Sequence, residues 1–121
     1  MKETVVFDFD GVIHSYTSGW KGAEIISDPP VPGIKEAIAD IRAAGYEVVV
    51  VSTRCGSNAG RYAVEEWLND HEIIVDRINA TKPPAIVYID DRAIRFDGNP
   101  SGLLQEIKSF IPWNRKWCPL P

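Results

Sequence analysis

The sequence predicts an α/β sandwich built on a mostly parallel sheet, and three observations carry that prediction. Strand-like and helix-like segments alternate along the chain, as parallel strands joined by crossover helices must. One segment, Tyr46-Glu47-Val48-Val49-Val50-Val51, is apolar on both faces, the pattern of a strand buried between helix layers. Polar residues follow most of the apolar runs, and open sheets of this kind bind ligands at the carboxyl ends of their strands.

Thr4-Val5-Val6-Phe7-Asp8-Phe9 is β-branched and aromatic and reads as the first strand, running into a turn at Asp10-Gly11. Residues 14–32 contain Gly19, Gly22, Pro29, Pro30 and Pro32 and read as a loop-like flap. Ile34, Ala37, Ile38 and Ile41 then recur at three- and four-residue spacing, an amphipathic helix that stops at Gly45. After the valine strand, Ser57 or Asn58 caps a helix carrying Tyr62, Val64, Trp67 and Leu68. Ile73-Ile74-Val75 reads as a third strand, the one strand without a polar end. Ala85-Ile86-Val87-Tyr88-Ile89 is a fourth, ending at Asp90-Asp91. Ser101 opens a last helix through Leu103, Leu104, Ile107 and Phe110, ended near Pro112. Residues 1–112 thus form one domain, and residues 113–121 an irregular tail whose Trp113 and Trp117 can cover a sheet edge or make a dimer contact.

At 121 residues the chain is the size of a single domain, about 100–200 residues being usual. Its 45% hydrophobic and 25% charged content is that of an ordinary soluble protein. Lys plus Arg total 13 against 17 for Asp plus Glu, a net charge of −4, so no basic field is present to coat nucleic acid. No apolar run approaches the ~20 residues of a bilayer span, so no membrane role is expected. Carboxylates at Glu3 and Asp8 interrupt any signal-peptide pattern. Cys55 and Cys118 have neither metal-ligand nor disulfide-framework spacing and read as free thiols, which makes the cytoplasm the expected location.

Four positions near strand ends carry chemistry. Asp8 and Asp10 lie two apart, on one side of an extended chain. Such a pair repels and raises its own pKa values unless a cation sits between, and Mg²⁺, a hard ion that takes oxygen ligands, suits it. Gly11 lets the backbone turn tightly straight afterwards. Taken alone, the motif is equally a solvated Asp-x-Asp-Gly turn. Ser52-Thr53 closes the second strand, where a hydroxyl either donates to a phosphate oxygen or caps a turn. Lys82, fixed ahead of Pro83-Pro84, either neutralises a phosphoryl group or is an ordinary surface lysine. Asp90-Asp91 is a second acidic pair or a solvated loop. All four in this order are far less expected by chance than any one.

This ordered set, Asp8-Phe9-Asp10-Gly11-Val12, Ser52-Thr53 after four valines, Lys82, then Ile89-Asp90-Asp91, resembles the four motifs of the haloacid dehalogenase-like (HAD) superfamily over residues 4–111. The resemblance implies a three-layer Rossmann-like sandwich with a flap after the first strand. It implies that Asp8 is a nucleophile forming an aspartyl-phosphate. Asp10 would protonate the leaving oxygen, deprotonate the attacking water and lend a backbone carbonyl to the metal. Members that cleave carbon–halogen bonds lack this second acid, so phosphoryl transfer is favoured. Ser52 would hold a phosphate oxygen, with Thr53 the alternative, and Lys82 would compensate charge. Mg²⁺ would be held by Asp8, Asp10 and at least one of Asp90 and Asp91, with Asp91 preferred. The implied function is a Mg²⁺-dependent phosphomonoester hydrolase of unspecified substrate.

Residues 14–32 are too few for a folded cap domain and residues 76–81 leave no room for one, so the chain is expected to be capless. Capless members often take large substrates or close the site through homo-oligomer contacts. The expected partner is a phosphorylated substrate, either a small molecule or a macromolecular end. His14, four residues after Asp10, is placed to touch a leaving group or to sit in a turn. Trp20-Lys21-Gly22 forms either a stacking and charge-binding lip or flap packing. Arg54 and Arg92 are candidates for bidentate phosphate contacts, or for ion pairs with site carboxylates. The substrate side thus comprises Gly11, His14, Trp20, Thr53, Arg54 and Arg92. A phosphoacceptor receiver domain is the nearest rival fold, but its motif order places the hydroxyl after the phosphoacceptor on strand three and has no final acidic pair. A non-catalytic module of the same fold would be expected to lose a motif carboxylate or lysine, and none is lost. A nucleotide- or polynucleotide-end phosphatase is a narrower reading, carried by the flap aromatics and arginines alone.

Overall fold

The computed structural model describes residues 2–114. Four parallel strands, β1 (Thr4–Asp8), β2 (Glu47–Val51), β3 (Arg77–Asn79) and β4 (Val87–Ile89), form one sheet in the order β3-β2-β1-β4. Three helices, α1 (Ile34–Ala43), α2 (Asn58–Asp70) and α3 (Leu103–Ser109), complete the α/β fold the sequence predicts. No segment between β1 and α1 is a helix or strand; isolated bridges of His14 to Asp10 and to Pro30 hold the flap instead.

The two central strands alternate their side chains between two cores, as the period of a strand requires. Val5, Phe7, Val48 and Val50 pack with Ile38 of α1 and with Val64, Trp67 and Leu68 of α2. Val6, Val49 and Val51 face the other way, against Ala85. Burying each such side chain stabilises the fold by ~1.5–3 kcal/mol, so a one-residue slip of either strand would be prohibitive. The register pairs Asp8 with Val51 and Phe7 with Ile89. The ends of β1, β2 and β4 therefore lie side by side, which assembles the site.

Helix α2 is capped as expected by Ser57, whose Oγ accepts the Gly60 N–H at 3.0 Å. Tyr62 is exposed and takes no part in the core. The third strand differs from the sequence reading. Ile73-Ile74-Val75 is the closure of α2: Glu72 is left-handed at φ 56, the Ile73 N–H bonds Leu68 O at 2.9 Å, and the Ile73 side chain is buried beneath the turn. This is a Schellman-type stop with its apolar contact. The strand itself is the polar edge segment Arg77–Asn79, and it too ends in a polar residue: the carbonyl of Asn79 takes the Ser52 N–H at 3.1 Å. Helix α3 is shorter than expected and buries none of its residues. The Trp113 indole N–H donates to Gly11 O at 2.7 Å, while Asn114 reaches Ser15 O. Trp117 and Cys118 lie outside the described residues. Cys55 is a partly buried free thiol. Among the described residues no helix is long and apolar enough to cross a membrane.

Candidate active site

Asp8 ends β1, and Asp90 and Asp91 follow β4, one and two residues beyond its pairing with β1. One carboxylate oxygen from each of the three lies within 4.8 Å of the others. The Lys82 ammonium bonds Asp90 Oδ2 at 3.1 Å, and the Arg92 N–H bonds Asp90 Oδ1 at 2.9 Å. Burial, then the Asp90 charge, then a proton shared with Asp91 raise the Asp8 pKa to about 7. Burial raises Asp91 as well. Burial also pushes Asp90 up, but the Arg92 amide and Lys82 together outweigh it and hold Asp90 low. Three converging carboxylates with one ammonium beside them lack positive charge, and a hard divalent cation with oxygen preference fits that deficit.

Gly11 makes this cluster compact. Its φ is 85, and a Cβ at this position would overlap the Asp91 carboxylate. Gly11→Ala is therefore expected to push Asp91 out of the cluster and to cost ~1–2 kcal/mol in left-handed backbone strain. The first effect is read as weaker divalent-cation binding by calorimetry, the second by denaturant unfolding.

The Asp10 carboxylate is committed elsewhere. His14 Nδ1 lies 2.8 Å from Asp10 Oδ1, and the Asp28 N–H donates to His14 Nε2 at 3.1 Å. Because Nε2 accepts, Nδ1 carries the proton given to Asp10. Arg54 grips the same carboxylate, through Nε at 2.9 Å from Oδ2 and Nη2 at 3.1 Å from Oδ1. Its Nη1 donates to the carbonyls of Gly22, Ala23 and Ile25 at 2.7, 3.0 and 3.2 Å. Burial pushes the Asp10 pKa up, but the bonds from His14 and Arg54 outweigh it, and the net shift is downward.

For His14 and Arg54 the sequence left two roles open, and the structure favours the packing and ion-pair role for each. His14 is buried, stacked on Phe9 and edge-on to Trp67, with its ring nitrogens engaged by Asp10 and by the Asp28 N–H. Arg54 is wholly buried and spends its guanidinium on Asp10 and the flap backbone, leaving no fork for a phosphate. Asp28 was not anticipated. It is buried, supplies the N–H to His14 and accepts from Ser18, and its sequence context Asp28-Pro29-Pro30 gave only a turn signal.

An open cleft of about 220 Å³ joins Asp8, Asp10, Ser52, Thr53, Asp91 and Arg92 with Tyr16 and Trp20. Ser52 Oγ accepts the Arg54 N–H at 3.1 Å, which leaves its own hydrogen to donate. Thr53 is exposed. Tyr16, anticipated only as part of the flap, stands in the left-handed region at φ 60. Trp20 lies over the Arg54 guanidinium, 4.5 Å from its ring centre. A larger hollow of about 420 Å³, near Lys35, Arg42 and Glu72, contains none of the three clustered aspartates. Chemistry and not volume selects the smaller one.

No protein-family model matches the sequence, and no curated protein matches it. Solved structures do. A chain in the structure of a Pnkp1/Rnl/Hen1 complex shares 19% identity at a TM-score of 0.55, covering 93% of this chain and 36% of that one. A chain of the Pnkp1/Rnl/Hen1 RNA repair complex gives 18%, 0.54, 93% and 33%. A D,D-heptose 1,7-bisphosphate phosphatase from Burkholderia thailandensis is 28% identical at a TM-score of 0.40, covering 64% and 52%. The chain spans about a third of the length of the first two. The chain shares the fold of the matched part of the first two, an α/β structure on an all-parallel sheet, as the sequence predicts.

Proposed function

We propose that this chain is a Mg²⁺-dependent phosphomonoester hydrolase that works through Asp8. The observation that carries the reading is the convergence of Asp8, Asp90 and Asp91, with Asp8 and Asp91 lining one cleft with Ser52 and Lys82 bound to Asp90. Asp8, Asp90 and Asp91 would hold the ion, which supplies electrostatic stabilisation of the transferring phosphoryl group. A carboxylate oxygen of Asp8 attacks phosphorus as the bond to the ester oxygen breaks, giving an aspartyl-phosphate that water then hydrolyses. The Ser52 hydroxyl donates to a phosphoryl oxygen, and Lys82 offsets negative charge from the Asp90 side. Asp10 serves both proton steps. His14 and Arg54 keep it a carboxylate at rest, suited to take the proton of water. An incoming phosphate dianion raises its pKa by like-charge repulsion, so Asp10 takes up a proton from solvent, gives it to the leaving oxygen as the ester bond breaks, and regains one from the attacking water.

The test is hydrolysis of p-nitrophenyl phosphate and a panel of phosphomonoesters by the wild type and Asp8→Asn, with Mg²⁺ and with EDTA. Turnover is expected with Mg²⁺, absent with EDTA, restored by excess Mg²⁺ and lost in the variant. Silence of the wild type across the panel with Mg²⁺ overturns the reading.

A further inference from the structure

We infer that Tyr16 and Trp20 form an aromatic rim that receives the base of a nucleoside monophosphate whose phosphate enters the cleft at Asp8. The inference rests on the phosphohydrolase reading for the fate of the phosphate, and on the rim itself for the base.

Trp20 has no part in either core, and 54% of it is exposed. An indole left this open contributes little to folding, yet it is held in place. The buried Arg54 guanidinium lies 4.5 Å from one of its faces, and Arg54 is fixed in turn by Asp10 and three flap carbonyls. Tyr16 is anchored in the same manner, edge-on to the buried His14 at 5.9 Å, on a backbone in the left-handed region that non-glycine residues avoid. Backbone conformations of this kind persist where the surrounding structure imposes them, often at ligand clamps. Both rings line the cleft that contains Asp8 and Asp91. Two pre-ordered aromatic surfaces beside a phosphate-binding cleft favour a ligand with a phosphate at one end and a flat ring at the other.

The dimensions choose among such ligands. At about 220 Å³ the cleft is smaller than the ~300–1,000 Å³ that encloses a whole small ligand, so it takes the phosphoryl end and leaves the rest at the mouth. An aryl phosphate carries its ring directly on the ester oxygen, inside the cleft. A nucleoside carries its ring one sugar farther out, at the rim. With a net charge of −4 there is no basic field to follow a polyanion, so the contact is with a single terminal or free nucleotide.

The experiment compares kcat/KM, with Mg²⁺, for adenosine 5′-monophosphate, a 5′-phosphorylated oligonucleotide, phosphotyrosine and glycerol 2-phosphate. In Trp20→Ala the ratio of the better nucleotide substrate to glycerol 2-phosphate is expected to fall about 5- to 150-fold, the range of one stacked base. Trp20→Phe, which keeps a flat face, is expected to retain most of that ratio. A ratio that stays within about twofold in Trp20→Ala overturns the rim, as does a phosphotyrosine rate with the stronger dependence on Trp20. Preference for the mononucleotide or for the oligonucleotide end identifies the source of the base, and either supports the rim. Calorimetry of adenosine 5′-monophosphate with Asp8→Asn and Mg²⁺ separates the two readings. Binding that is lost on adding Trp20→Ala, in a protein whose wild type hydrolyses nothing, sustains the rim and removes the hydrolase. Hydrolysis of glycerol 2-phosphate with a flat ratio does the reverse.

Discussion

Replacing Arg54 with methionine is expected to lower the free energy of unfolding by about 3–5 kcal/mol, the usual cost of removing one partner from a buried ion pair. Arg54 is wholly buried, and its loss leaves the Asp10 carboxylate, among the described residues, with the His14 hydrogen bond. It also deprives the Gly22, Ala23 and Ile25 carbonyls of their shared donor. Methionine roughly fills the aliphatic part of the site, so the loss measures charge and hydrogen bonding more than a cavity. Arg54→Lys keeps the charge but cannot reach Asp10 and the flap carbonyls at once, so it is expected to recover only part of the loss. Urea unfolding of both variants, with Asp10→Asn to close a double-mutant cycle, gives the coupling directly. A loss below about 1 kcal/mol in Arg54→Met would mean that the network does not hold the flap.

Arg54 also shows where reading the sequence stops. Its position beside Ser52-Thr53 marked it as part of the site, but whether its guanidinium faced solvent or protein depended on contacts far away in the chain. Asp10 is 44 residues distant and Gly22 is 32, and only the parallel pairing of β1 with β2 brings them together. His14 was left with two readings for the same reason. Its spacing from Asp10 is local and was legible, whereas its burial comes from Phe9, Trp67 and Asp28, which meet only where the flap folds against α2. The clustered aspartates were legible because each follows an apolar strand, and strand order does the rest. Ile73-Ile74-Val75 misled because β-branched residues suit a helix stop as well as a strand. The true strand, Arg77–Asn79, lies at the sheet edge, where no apolar alternation is needed.

Asp8→Asn is expected to abolish turnover, by about 10³-fold or more, while making the metal-free protein more stable at pH 8. The Asp8 carboxyl has an ordinary pKa of 3.8 and is raised to about 7 in the fold, by burial first and by Asp90 and Asp91 after it. Between those two values the folded protein keeps a proton that the unfolded chain has released, so stability falls as pH rises through that window and levels off above about 7. A shift of this size corresponds to at most about 4 kcal/mol. Asp8 borders an open cleft, and solvent screening reduces the expected gain in the variant to ~1–2 kcal/mol at pH 8 in EDTA, with little difference near pH 4. Adding Mg²⁺ at pH 8 should reverse the order. An ion held by three carboxylates stabilises the wild type by about 2.7 kcal/mol at 100 times its dissociation constant, and the variant, one ligand short, gains less. Unfolding curves in EDTA and in Mg²⁺ at pH 4 and pH 8 decide the matter. A variant no more stable than wild type at pH 8 in EDTA, or equal gains from Mg²⁺, would separate the carboxylate cluster from the metal. The expected pattern ties the two together: the crowding of carboxylates that weakens the metal-free fold is the feature a cation would relieve.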